Sequence, residues 1–168
     1  MMRAKLGLIK KQDKDIRLIQ SLENNLQLSE TDMTIFFRKL SAFKNEQPQQ
    51  GIEIIQEAFY EPNEIKKDLL CAWNKWFVNY SNRLKDETTS FNQRKEQMNN
   101  INPKYVLRNY MAQLAIEKAD KGDVSLIEEF YQLLKKPYSE QPDFEHWFVK
   151  RPEWARDKIG CSMLSCSS

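Results

Sequence analysis

The side chains in this sequence best equipped for chemistry are its three thiols, Cys71, Cys161 and Cys166. Two of them fall in the closing stretch Cys161-Ser162-Met163-Leu164-Ser165-Cys166-Ser167-Ser168. Small residues give such a stretch little to pack, so residues 160–168 read as a flexible tail. An accessible thiol there can meet an oxidant or another thiol. Cys161 and Cys166 can pair with each other or stand as two free thiols, and their spacing does not choose between the two. Cys71 lies inside a helical pattern and reads as an inert small side chain.

Other chemistries find no set of residues to carry them. His146 is the only histidine, in Asp143-Phe144-Glu145-His146-Trp147, and no Cys/His spacing supplies it with co-ligands, so it reads as a surface residue. The four glycines are dispersed and form no phosphate-cradling G-x-x-x-x-G-K-[ST] or G-x-G-x-x-G, and G-x-S-x-G does not occur. Glu128 and Glu129 sit on the outer face of an amphipathic pattern. Trp73 and Trp76, three apart, read as core rather than as the wall of a ligand groove. No catalytic, cofactor-binding or metal-ligating residue is therefore assigned.

Composition narrows the class further. The 168 residues are 40% hydrophobic and 30% charged, enough for one soluble globular domain across 1–168. Lys and Arg number 26 against 24 Asp and Glu, and the two signs are interleaved along the chain, unlike the clustered charge of a nucleic-acid binder. No apolar run approaches the roughly 18 residues of a membrane span. Met1-Met2-Arg3-Ala4-Lys5-Leu6-Gly7-Leu8-Ile9 runs into Lys10-Lys11 without the apolar segment of a secretion signal. With an odd number of cysteines, this places the chain in the reducing cytoplasm.

The elements that must position these residues are helical. Ile16, Ile19, Leu22 and Leu26 make a first stripe. Ser29 reads as an N-cap for a helix with Met33, Phe36, Phe37 and Leu40 inside. Residues 44–51 form a loop, and a short helical segment follows around Ile52, Ile55 and Phe59. Pro62 suits the first turn of a long helix whose face is Ile65, Leu69, Trp73, Trp76, Phe77 and Tyr80, with Lys67, Cys71 and Lys75 opposite. Residues 86–98 are polar and read as a solvated helix or linker. Asn102-Pro103 reads as a helix start, with Leu107, Tyr110, Met111 and Leu114 on one face and Gly122 closing it. Asp123 caps a further helix with Leu126, Ile127, Phe130, Leu133 and Leu134 inside. Pro142 and Pro152 bracket an aromatic cluster of Phe144, Trp147, Phe148 and Trp154. The expected fold is all-α, an irregular array of about six or seven helices.

Asn102-Pro103-Lys104-Tyr105-Val106-Leu107-Arg108-Asn109-Tyr110 resembles the Asn-Pro…Arg-Asn signature of the selenoprotein O (YdiU) family. Met2-Arg3-Ala4-Lys5-Leu6-Gly7-Leu8, Lys135-Lys136-Pro137-Tyr138 and the Cys166-Ser167-Ser168 ending are similar to the same family. The resemblance implies the C-terminal helical part of a kinase-like (pseudokinase) fold, whose intact members are protein adenylyltransferases. These transfer AMP from ATP, with Mg²⁺, to hydroxyl side chains of protein substrates. That activity belongs to an N-terminal kinase-like core with no counterpart in these residues, so the chain is expected to be a fragment that is inactive alone.

The resemblance also implies redox regulation through Cys166. This position matches the family's antepenultimate residue, selenocysteine in animal members, which is implicated in a disulfide to a cysteine of the core. Cys161 has no matched role. Asn102, Pro103, Arg108 and Asn109 are given a structural role, anchoring the helical region on the core. A surface left open by the missing core is expected to favour self-association. The alternatives are a stand-alone helical interaction module, a small thiol redox protein acting through Cys161 and Cys166 and, more weakly, a nucleic-acid-binding helical domain.

Overall fold

The structure, a computed structural model, describes residues 1–62, 66–158, 160 and 161. Among these, eight α-helices follow in order: α1 (Met2–Lys5), α2 (Lys14–Gln27), α3 (Met33–Leu40), α4 (Gly51–Ile55), α5 (Lys67–Leu84), α6 (Phe91–Ile101), α7 (Asn109–Ala119) and α8 (Ser125–Leu134). Short 3₁₀ turns lie between and after them. The β-type pairing seen among the described residues is an isolated antiparallel bridge between Thr31 and Phe59. The chain is all-α, as its periodicity predicts. It divides into two compact units, Met1–Pro103 and Lys104–Ser168.

The first unit is organised by α5. Trp73, Trp76, Phe77 and Tyr80 are at most 1% exposed, and Lys67, Cys71 and Lys75 lie on the solvent side as the spacing requires. Ile65, the first residue of that predicted face, lies outside the described residues. The rings interlock: Trp76 stacks on Tyr80 at 4.8 Å, Phe77 meets Trp76 edge-on at 5.1 Å, and Phe43 stacks on Tyr80 at 5.3 Å. Each ring removed from water contributes on the order of 1.5–3 kcal/mol. Backbone satisfies two of their polar atoms: Trp76 Nε1 donates to the Leu18 carbonyl at 3.0 Å and the Tyr80 hydroxyl to the Leu6 carbonyl at 2.7 Å, while Trp73 Nε1 is buried without a partner among the described residues. Burial pushes the Tyr80 phenol up to about 12 despite the nearby positive charge of Arg94. The close ring packing also explains Gly51, where a Cβ would fall 2.3 Å from the Phe77 ring.

Two local readings are corrected here and a third is narrowed. The buried face of α2 is Asp15, Leu18, Leu22 and Asn25; of the predicted stripe Leu22 is buried, Ile19 and Leu26 are half-buried, and Ile16 is 61% exposed. Hydropathy alone misphased the helix because a carboxylate, Asp15, is drawn inward by Arg83 of α5 at 2.5 Å. The N-cap of α3 is Asp32 rather than Ser29; its carboxylate accepts the Ile35 N–H at 3.0 Å. Of the two readings of residues 86–98, a solvated helix or a helical linker, the helix holds: a Ser90/Gln93 capping box opens the mostly exposed α6, which buries Arg94 and Met98 and packs against α1. The Arg94 stem covers apolar surface while its guanidinium donates to the Phe43 carbonyl.

The second unit is an α7–α8 pair closed over by irregular chain. Tyr110, Met111 and Ala115 of α7, Phe130 and Leu133 of α8, and Tyr105, Ala155 and Cys161 form its core, with Phe144, Trp147 and Phe148 half-buried against it. Gly122 adopts φ +85° just after α7, the left-handed conformation expected of a closing glycine. Asp123 accepts the Ser125 N–H at 2.9 Å at the start of α8. Hydrogen bonds from Ser125 and then Lys118 hold its carboxyl down at about 2. Leu107 and Ile127, read as inward-facing, are 52% and 49% exposed. No helix of the described residues is long and apolar enough to cross a membrane.

Candidate functional site

The Asn102-Pro103 pair does not start a helix. Asn102 ends α6 instead, with φ −100° and ψ 105°, and residues 103–108 run outside regular structure until α7 opens at Asn109. Proline disfavours helical backbone at the residue before it, so Asn-Pro here is a stop rather than a start. Both halves of the signature then act as attachment points.

In the first unit, Asn102 is 1% exposed. Its amide Nδ2 donates to the Lys5 carbonyl at 3.0 Å, tying the end of α6 to the end of α1. Its carbonyl accepts from Arg38 Nη1 at 3.2 Å, which also donates to the Asn99 carbonyl at 3.0 Å. Arg38, on α3, is itself buried, and Ser41 Oγ donates to its carbonyl at 2.7 Å. Asn102 therefore joins α1, α3 and α6. The Met2-to-Leu8 motif, which resembles the family at the other end of the unit, is one of its partners.

The second unit repeats the pattern. The backbone N–H groups of Lys104 and Tyr105 both donate to the Pro137 carbonyl, at 2.8 and 3.1 Å. The signature is thereby joined to the Lys135-Lys136-Pro137-Tyr138 motif. Lys104 is 6% exposed, with its ammonium 2.5 Å from both Glu140 and Glu145. Burial alone would lower its pKa; the two carboxylates outweigh this and hold it above the ordinary lysine value of 10.5. The favourable contribution is therefore complete below that value and lost as the pH rises through the folded-state one. Tyr105 donates to the Gln141 carbonyl at 3.1 Å.

Arg108 is the N-cap position of α7, and Asn109 begins a polar stripe along it. Asn109 Nδ2 donates to the Cys161 carbonyl at 3.2 Å, Gln113 lies so near Gly160 that a Cβ there would be 2.3 Å from its Oε1, and Glu117 pairs with Lys158 at 2.5 Å. Three side chains at i, i+4 and i+8 thus hold Lys158, Gly160 and Cys161 along one helix face. Sequence reading missed Lys104, Gln113, Glu117 and Arg38. The 109/113/117 spacing was a usable signal for α7, whereas nothing local marks a surface-type residue such as Arg38 as buried.

The thiols separate differently from the expectation. Cys161 is 4% exposed within the second core, so it is not an accessible tail thiol, and Gly160 and Cys161 belong to the folded turn. Cys71 is the exposed one. Cys166 lies outside the described residues. Alkylation of the native chain with iodoacetamide, followed by peptide mapping, is expected to label Cys71 at least about tenfold faster than Cys161, because a buried thiol must wait for local opening. Equal rates at the two sites would contradict this placement.

His146 remains at the surface, 3.3 Å from Glu129, which also accepts the Trp147 Nε1–H at 2.7 Å. Among the described residues, no three His, Cys, Asp or Glu side chains stand together as a metal site would require. The paired carboxylates that share a partner are taken up by cations, Asp15 and Glu87 by Arg83 and Glu140 and Glu145 by Lys104. This donor set does not fit a Mg²⁺-bound triphosphate, and no step of nucleotide chemistry is assigned to it.

The pattern that emerges is a signature used for architecture, and comparison with known proteins bears directly on whose signature it is. The family model described as protein adenylyltransferase SelO matches residues 1–136. This chain belongs to the SelO family. SelO-family relatives named protein nucleotidyltransferase YdiU match nearly its whole length. That of Flavobacterium johnsoniae is 58% identical over 98% of the chain and 32% of its own length. The Rhodopirellula baltica and Aromatoleum aromaticum proteins are 45% and 42% identical over 100% of the chain and 33% and 32% of theirs. The chain thus spans about a third of the length of the curated SelO-family relatives it matches.

Proposed function

We propose that this chain is the C-terminal helical region of a SelO-family protein adenylyltransferase, buttressing a kinase-like core and carrying Cys166 as a redox-regulatory thiol in the cytoplasm. The whole enzyme would move AMP from ATP, with Mg²⁺, to hydroxyl groups of protein substrates; this region would not do so alone. The observation that carries the reading is the pairing of family membership over residues 1–136 with a span of only a third of the relatives' length.

The local geometry supports a supporting role. In the first unit Asn102 ties Lys5 to α3 and α6, and in the second Lys104, Tyr105 and Asn109 fasten Pro137 and Cys161, a use that rigidifies helices rather than one that presents reactive groups to solvent. On α8 and just before it, Val124, Ile127 and Tyr131 are 61%, 49% and 59% exposed at i, i+3 and i+7, an apolar stripe suited to a covering partner.

The test uses the Flavobacterium relative with its matching third removed. That protein is expected to bind this chain when the two are mixed, and Ile127→Asp with Tyr131→Asp is expected to weaken the association by at least about tenfold. No association of the unsubstituted pair would sink the buttressing role.

A further inference from the structure

The facing surfaces of α2 and α5 leave an open groove of about 600 Å³, lined by Lys14, Arg17, Leu18 and Ser21 on one side and Lys75, Asn79, Asn82 and Arg83 on the other. Residues at i, i+3, i+4 and i+7 of α2 oppose residues at i, i+4, i+7 and i+8 of α5, so both walls are continuous helix faces. None of the eight lining residues is acidic. The nearby carboxylates are already engaged: Asp15 and Glu87 with Arg83 at 2.5 and 2.8 Å, and Asp86 with Lys14 at 2.5 Å.

That leaves Arg17 and Lys75, one on each wall, as cations whose side chains make no ion pair or hydrogen bond among the described residues, beside the amide of Asn79. The walls are held at a fixed spacing by two buried links, Trp76 Nε1 to the Leu18 carbonyl at 3.0 Å and Arg83 Nε to Asp15 at 2.5 Å. A site whose walls need not reorganise loses less on binding.

We propose that this groove binds a small oligophosphate through the guanidinium of Arg17 and the ammonium of Lys75. Arg presents a planar fork suited to two phosphate oxygens and Lys a point charge, so the two walls can hold successive phosphoryl groups of one chain. The Asn79 amide adds a neutral donor, and Leu18 provides a short apolar floor. No aromatic ring lines the groove, because Trp73 and Trp76 are buried beneath. A base therefore has nothing to stack on, and the recognised group is the phosphate chain itself, whether free or carried on a nucleoside.

Titration of the isotope-labelled chain with tripolyphosphate, followed by NMR, tests this. Saturable shifts are expected at the Asn79 side-chain amide and the Arg17 Nε–H, weakening as salt is raised. Arg17→Gln with Lys75→Gln should weaken binding about tenfold, the sum of two exposed charge contacts. Lys95→Gln with Lys136→Gln removes the same charge from exposed sites elsewhere and should change affinity less than about twofold. ATP should bind about as tightly as tripolyphosphate, since only its phosphates are read. Equal weakening by both variant pairs would reduce the effect to bulk charge and overturn the site. So would the absence of saturable binding, or a tenfold preference for ATP.

Discussion

Replacing Arg83 with methionine is expected to lower the stability of the first unit by about 3–5 kcal/mol. The guanidinium is 2% exposed and meets Asp15 at 2.5 Å and Glu87 at 2.8 Å, both of which are as deeply buried. It also donates to the Lys10 carbonyl at 2.5 Å, so one side chain fastens the segment before α2 to the end of α5. Removing it strands two carboxylates with little access to water, and that penalty exceeds the net worth of the intact ion pairs. The combined variant Arg83→Met, Asp15→Asn and Glu87→Gln should recover most of the loss, because no charge is left unpaired. Urea unfolding reads both: a lower midpoint at unchanged slope for the single variant, and a return towards the parent for the triple one. A single variant within about 1 kcal/mol of the parent would show that the network is solvated.

The same network gives the unit an acid limit. Burial alone would raise the Asp15 carboxyl, but the bonds from Arg83 and the Gln12 N–H outweigh it and hold Asp15 below its ordinary value of 3.8. A group depressed on folding stabilises the fold fully above its unfolded value. Its contribution is lost as the pH falls from there through the folded one.

Gly7→Ala carries the second large effect, about 2–4 kcal/mol of destabilisation. Two penalties act together. Gly7 sits at φ +66°, where a Cβ strains the backbone, and that Cβ would lie 2.6 Å from Arg94 Cγ and 3.0 Å from Met98 Sδ. Neither neighbour moves freely: Met98 is fully buried and Arg94 is held through its bond to the Phe43 carbonyl. Helix propensity offers no compensation, since Gly7 lies beyond the end of α1. Thermal unfolding would check this, and an unchanged transition would mean that α6 can withdraw from α1 without cost.

Much of this fold was legible because its main signals were redundant. The α5 face repeats large rings at helical spacing, and Gly122 and Asp123 mark the α7–α8 junction with independent cues. The failures share a cause: apolar periodicity says nothing about polar groups that pair in the interior. Asp15, paired with Arg83, takes a place on the buried face of α2 while the expected Ile16 faces solvent, and Arg94 gives the mostly solvated α6 a buried anchor. Asn102 was recognised by type but misread by direction, because Asn is at home at either end of a helix and the following proline decides which. Cys161 misled for another reason. A small-residue composition suggests a loose tail, while Asn109, Gln113 and Glu117, far away in sequence, supply the surface that holds its turn in place.

The central claim is that this chain supports nucleotide transfer without performing it. Incubating the chain alone with ATP labelled at the α-phosphate, Mg²⁺ and an acceptor protein measures this directly. The account predicts no label on the acceptor above a control lacking the chain. Incorporation that scales with the amount of chain would contradict it and place an AMP-transfer site within these 168 residues.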